Sequence, residues 1–305
     1  MARRPASRRR NSGRGIRGAA TAVLALSFCG CFSRLEGTME GGQVAPPPVD
    51  AAAYAAEIAA WREEYEALLT RPEGWLSLVG LHWLKEGANA CGGDPASAVP
   101  LPRAPERAGT FYLEGGEVSF EALPEAGITV SGEPLAGRVV LATDAAGEPT
   151  ILELGSLRFY VIARADAEHG TRYGVRIKDR QSPRIAAFAG IDAYPADPAW
   201  RVASRFVPYR PPKTIPVPTV LGTVVEMESP GALEFVAGGE RARLDALDGG
   251  EDELWLIFAD QTNGRETYGG GRFLYVPRPD DRGVVVIDFN KAYNPPCAYT
   301  PFATC

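Results

Sequence analysis

Gly231-Ala-Leu-Glu-Phe-Val-Ala-Gly-Gly-Glu240-Arg-Ala-Arg-Leu-Asp-Ala-Leu-Asp-Gly-Gly250-Glu-Asp-Glu-Leu-Trp-Leu-Ile-Phe258 is the stretch that decides the fold. Apolar runs of strand length alternate with two Gly-Gly pairs, Gly238-Gly239 and Gly249-Gly250. Glycine supplies the positive φ that tight hairpin turns require, so the stretch reads as three strands: Gly231 to Val236, Glu240 to Ala246 and Glu253 to Phe258. The same punctuation continues on both sides, with strands expected at Arg201 to Tyr209, Lys213 to Val217, Thr223 to Met227, Arg272 to Val276 and Gly283 to Phe289.

Upstream, another series is expected at Ser77 to Leu84, Gly109 to Leu113, Glu117 to Ala122, Ile128 to Val130, Arg138 to Leu141, Thr150 to Leu154, Leu157 to Ala163 and Tyr173 to Lys178. Short strands separated by turn residues argue for sandwiches or barrels. Pro183, Pro195 and Pro198 interrupt the stretch between the two series, with one helical turn near Arg184 to Phe188. The expected organisation is a first β unit over 71–180, a connector over 181–200 and a second antiparallel sandwich or barrel over 201–305. The fold class is therefore mainly β.

One helix precedes the strands. Asp50 is a capping residue, and Tyr54, Ile58, Trp61, Tyr65 and Leu68 recur at spacings of four and three. This predicts an amphipathic helix over 50–70 that docks through its aromatic face.

The amino terminus reads as an export signal. Arg3, Arg4, Arg8, Arg9, Arg10, Arg14 and Arg17 precede the apolar run Gly18 to Phe28, and no acidic residue appears before Glu36. A basic segment followed by a short apolar one is the layout of a signal peptide, and the run is too short for a spanning helix. Gly30-Cys31 resembles the end of a bacterial lipoprotein processing box. The expectation is a signal peptide over 1–31, a lipid on Cys31, a flexible Gly- and Pro-rich tether over 32–49, and a place in the cell envelope, periplasmic or outer-surface. Plain secretion with two incidental cysteines is the alternative. Loss of the leader removes seven of the 32 Lys and Arg and none of the 38 Asp and Glu. Such an acidic mature chain argues against nucleic acid as a partner.

Cys297 and Cys305 are close enough in sequence to form a disulfide in an oxidising compartment, with free thiols as the alternative. A zinc site has no flanking histidines to complete it. No cofactor and no metal is implied.

Several blocks resemble a known family. Gly74-Trp-Leu-Ser-Leu-Val-Gly-Leu-His-Trp-Leu84, Phe258-Ala-Asp-Gln-Thr-Asn-Gly264, Thr267-Tyr-Gly-Gly-Gly-Arg-Phe-Leu-Tyr275 and Asp288-Phe-Asn-Lys-Ala-Tyr-Asn-Pro-Pro-Cys297 are similar to domain of unknown function 1684, an uncharacterised bacterial and archaeal family. The resemblance spans residues 54 to 305 and implies no activity. Members of that family run on past the second cysteine in a Pro-rich tail, so the resemblance implies a closing segment beyond Cys305. A second likeness, to forkhead-associated domains, lies in Glu86-Gly-Ala-Asn-Ala-Cys-Gly-Gly-Asp-Pro95 and Val130-Ser-Gly-Glu-Pro-Leu135. It implies a forkhead-associated-like sandwich over 71–180 without phosphothreonine reading, because Gly93, the Pro105 to Gly109 loop and Ser131 stand where the reading residues belong.

Motifs of catalysis are sparse. The chain has two histidines, His82 in an apolar run and His169 in a loop, and contains no nucleophile elbow, zinc-protease pair or Walker loop. Polar density peaks at Asp260, Tyr268 and Arg272, followed by Asp288, Asn290, Tyr293 and Asn294. At one rim of the second unit these would grip an anionic or hydroxyl-rich small molecule or a protein partner. The alternative is an internal network bracing a β corner. The leading functional expectation is a lipid-anchored envelope protein that binds a ligand or partner through this rim. Alternatives are a hydrolase-like enzyme using His82 or Asp260 with Arg272, and a structural envelope protein.

Overall fold

Asp50 starts the helix as its sequence predicts, its side chain accepting from Ala53 N at 2.8 Å. The computed structural model describes residues 32–34, 45–166 and 170–305. The expected signal peptide, Cys31, much of the tether and His169 lie outside the described residues.

Elements in chain order are β1 (Phe32–Arg34), α1 (Ala51–Thr70), β2 (Leu78–Trp83), β3 (Gly87–Gly92), β4 (Val99–Pro100), β5 (Gly109–Glu114) and β6 (Glu117–Ala122). There follow β7 (Thr129–Val130), β8 (Glu133–Pro134), β9 (Arg138–Val140), β10 (Leu152–Leu154), β11 (Leu157–Asp166), β12 (Gly170–Asp179) and α2 (Pro183–Ala187). The last five strands after β13 (Arg201–Pro218) are β14 (Val224–Ala237), β15 (Glu240–Asp248), β16 (Glu253–Phe258), β17 (Arg272–Pro277) and β18 (Val284–Asp288). The protein is mainly β with one long helix at the amino-terminal side. No helix among the described residues is long and apolar enough to cross a membrane.

The first β unit is a sandwich. A six-stranded sheet, β2-β12-β11-β10-β7-β8, faces a five-stranded sheet, β4-β3-β5-β6-β9. Phe111 and Phe120 from one sheet meet Phe159 from the other, with ring centroids 4.5 to 6.3 Å apart, and all three are fully buried. Such tilted and edge-on contacts add to the burial of large apolar area that fixes the interior.

The second unit is one seven-stranded sheet, β17-β16-β15-β14-β13-β18, with β1 added against β15. Leu233, Phe235, Leu244, Leu254, Leu256, Leu274 and Ile287 form its separate core. Gly238 and Gly239 both have positive φ at the β14–β15 turn, and Glu240 pairs with Ala237, so the first Gly-Gly pair turns a hairpin as read.

Three details differ from the sequence reading. β3 was not expected, because Gly-Ala-Asn-Ala-Cys-Gly lacks the β-branched and aromatic residues that mark strands. It is held by β5 and by buried Asn89, whose side chain bonds the Lys85 backbone at 2.9 and 2.8 Å. β13 and β14 are each continuous where two strands were expected, and their ladder breaks between Pro208 and Lys213, where prolines remove donors. Finally, α1 docks through Tyr54, Ile58 and Leu69 rather than through Trp61, which is only part-buried, or Leu68, which is exposed.

Close packing at the helix end explains one glycine. A Cβ on Gly74 would stand 2.3 Å from Leu69 O and 2.5 Å from Leu68 O, so the chain folds back over the end of α1 only with glycine there.

Candidate functional site

The sheet of the second unit curls until its end strands, β17 and β18, lie side by side with no ladder between them. One bridge pins the seam: Phe273 N donates to Tyr293 O at 2.8 Å and Tyr293 N donates to Phe273 O at 2.9 Å. Beyond it the seam opens into a cleft of about 510 Å³, roofed by α1. That volume is within the range of small-molecule sites.

Aromatic rings form a continuous wall from the helix across the seam to β16. Trp61 stacks on Tyr65 with centroids 5.7 Å apart, Tyr65 meets Tyr293 at 5.0 Å, and Tyr293 stacks on Tyr275 at 6.3 Å. Tyr275 in turn lies parallel to Trp255 at 6.3 Å, and Phe273 is wedged edge-on against Trp255 at 4.8 Å. Trp61, Tyr275 and Tyr293 line the cleft. The β16–β17 ladder sets this order, because Trp255 pairs with Tyr275 and Ile257 with Phe273. Tyr275 is 45% exposed, unusual for a large ring in a strand centre.

Charged groups edge the wall: Glu57, Arg201, Glu253, Asp288 and Lys291. Lys291 Nζ lies 2.7 Å from Glu57 Oε1, and this bond holds the Glu57 carboxyl below its ordinary pKa. Arg201 pairs with Asp288 across the β13–β18 ladder, and its Nη1 donates to Pro47 O at 2.7 Å. Burial, and then the neighbouring Tyr275, pushes the Tyr293 phenol up, so it stays a neutral donor at physiological pH. The combination offers flat apolar faces for stacking and, at the edges, both donors and acceptors.

The seven residues expected to form one site fall into three places. Asp260 and Arg272 form an ion pair inside the β16–β17 loop, their side chains 13% and 14% exposed. Asp260 also accepts from Thr262 Oγ1 at 2.5 Å and Thr262 N at 2.9 Å, while the Arg272 guanidinium lies 4.9 Å from the centroid of the Phe258 ring. Tyr268 turns to Cys297, and that contact raises its pKa to about 12. Asp288, Asn290, Tyr293 and Asn294 follow the seam beneath α1: Asn290 bonds Tyr54 and Asp197, and Asn294 O accepts from Tyr65 Oη at 3.0 Å. Of the seven, Asp288 and Tyr293 line the cleft.

Cys297 and Cys305 are thiols in this structure, with their side chains hydrogen-bonded to each other. His82 is half-buried, its Nε2 folded back over Gly80, and burial lowers its pKa. Sequence reasoning passed over Glu57, Arg201 and Glu253 altogether and took Trp61 for a packing residue. The available signal was the Trp255, Phe273 and Tyr275 set, which carries aromatics away from the core side of two adjacent strands.

No curated protein matches the sequence. A solution structure of an uncharacterized protein from Haloarcula marismortui is similar over 39% of this chain and 68% of its own, at 28% identity and a TM-score of 0.34. Residues 186–305, which supply strands β13 to β18 and most of the cleft, match the family described as "Protein of unknown function (DUF1684)", the family that the blocks from Phe258 to Cys297 resemble.

Proposed function

We propose that the protein is an exported, lipid-anchored envelope protein that binds a hydroxyl-rich ring compound of the saccharide class in the seam cleft. The observation that carries the binding reading is the aromatic wall ending in half-exposed Tyr275, bordered by carboxylates and cations. Flat aromatic faces take up the apolar faces of a sugar ring, while Glu57, Glu253, Asp288, Arg201 and Lys291 bond its hydroxyls. The export reading rests on the basic leader and Gly30-Cys31.

Saturation-transfer NMR of the full-length chain against neutral oligosaccharides tests the binding. Transfer to at least one oligosaccharide is expected, abolished by Tyr275→Ala and by Trp61→Ala. Transfer that survives both substitutions, or none to any oligosaccharide, overturns the reading. For the anchor, fractionation of cells expressing wild type and Cys31→Ser decides: identical partition into the soluble fraction removes the lipid.

A further inference from the structure

The outer face of the six-stranded sheet carries a charge arrangement unrelated to the cleft. Along the β11–β12 ladder Arg158 stands directly opposite Lys178, and Tyr160 directly opposite Arg176. Like charges facing each other across a ladder are destabilising, and Arg176, two residues from Lys178, shares its face and adds a third cation. Arg180 is a fourth.

Two carboxylates answer these four cations. Glu73 lies 3.1 Å from Arg158 Nη1 and 3.6 Å from Arg180 Nε, and Glu153 lies 3.1 Å from both Arg158 Nε and Arg180 Nη2. Asp144 is already engaged by Arg164 at 2.8 Å. Lys178 Nζ donates to a neutral group, Glu73 O at 2.7 Å, and lies 6.0 Å from the Tyr160 ring centroid. Arg176 is 6% exposed and gives its hydrogen bond to the hydroxyl of Thr304 at 2.8 Å. The buried Nε of Arg158 is near Glu153 but not aimed to bond it, and Arg176 Nε is likewise unbonded. Burial, and then Arg176, lowers the Lys178 pKa, as expected of a cation short of counter-charge.

Arg158, Tyr160 and Lys178 form one wall of a cavity of about 270 Å³, closed by Glu73, Pro149, Ile151 and Asp144, whose charge is answered by Arg164. We propose that this cavity binds a small phosphate-type dianion, held by Lys178 and Arg158 with the Tyr160 hydroxyl as a further donor. Glu73 and Glu153 engage Arg158 and Arg180, which leaves Lys178 and its buried neighbour Arg176 on neutral partners, and a dianion beside Lys178 answers both charges. Tetrahedral oxygens suit a fork-shaped guanidinium beside a point-like ammonium. Pro149 and Ile151 offer an apolar flank for the organic part of a phosphomonoester.

Calorimetric titration of the full-length chain with inorganic phosphate, and separately with glycerol phosphate, tests the site at ionic strength held constant with chloride. Saturable 1:1 binding is expected, weakened at least tenfold by Lys178→Met and unchanged by Lys85→Met, a surface control. Tighter binding of glycerol phosphate assigns a phosphomonoester, and tighter binding of phosphate assigns the free anion. Absence of saturable heat with wild type overturns the proposal without any variant. Equal binding by a Lys178→Met protein that melts like wild type overturns it as well.

Discussion

The Tyr54 hydroxyl hydrogen is shared between both carboxylate oxygens of Asp288, 2.7 and 2.9 Å away, and joins the first turn of the helix to the last strand across 234 residues of chain. Asn290 Nδ2 completes the knot by donating to the same hydroxyl at 2.8 Å. Burial, then the bond to Asp288, raises the Tyr54 pKa well beyond the physiological range, so it acts as a neutral donor. Tyr54→Phe removes the donor and leaves a part-buried carboxylate short of a bond. Urea unfolding is expected to show a loss of roughly 1.5–3 kcal/mol, and an unchanged midpoint and slope would show that the helix is held elsewhere.

Trp61→Ala separates packing from binding. A fully buried tryptophan costs roughly 3–5 kcal/mol on truncation. Trp61 is only part-buried and faces the cleft, so the expected loss is well below that range while oligosaccharide binding disappears. A full-sized loss in a melting experiment would return Trp61 to the packing role that its helical spacing suggests.

Arg272→Ala is expected to destabilise by roughly 3–5 kcal/mol, because it strands Asp260 in the loop interior. Ligand binding per folded molecule should be unchanged, since neither residue lines the cleft. A stable Arg272→Ala protein that cannot bind would place the site in the loop after all.

Cys297 is held at about 6, foremost by the bond from the Cys305 thiol and, against the opposing effect of burial, by Tyr268. A folded pKa below the unfolded thiol value, about 8.5, contributes stability above that value and loses it as pH falls through about 6. Iodoacetamide labelling of Cys297 should therefore reach half its maximal rate near pH 6, and Tyr268→Phe should move that midpoint upward. Cys91 is a built-in control: burial pushes its thiol far up, so it should label only after unfolding. On mild oxidation a Cys297–Cys305 bridge is expected, detected as the loss of two hydrogens by mass spectrometry. Closing that short loop should stabilise by roughly 2–3 kcal/mol.

The β architecture was legible because its signals are local. Gly238-Gly239 turns the β14–β15 hairpin with its own two residues, and Asp50 caps a helix by bonding three residues ahead. The candidate site was legible only in fragments. Asp260 and Arg272 are close in sequence and close in space, and their proximity expressed a braced loop rather than a site. Trp61, Arg201 and Tyr275 are distant in sequence and meet because a sheet of seven strands curls and a helix lies over its seam. Strand order and curl are set by contacts that no short window of sequence contains. Likewise Arg158 and Lys178 are unremarkable in their own strands, and only the register places one charge against the other.

The Tyr54–Asp288 bond also constrains the order in which the protein matures. Strands β2 to β12 lie wholly between residues 78 and 179, so the first sandwich has all its partners once that stretch has emerged. Helix α1 emerges earlier still, yet its hydrogen-bonding partners at Asp288, Lys291 and Asn294 arrive almost last. Until then Tyr54, buried in the finished protein, lacks its partner, and the entropy of closing so long a loop defers that docking. During synthesis the helix is therefore an apolar segment still missing part of its cover, the kind of surface that holding chaperones bind.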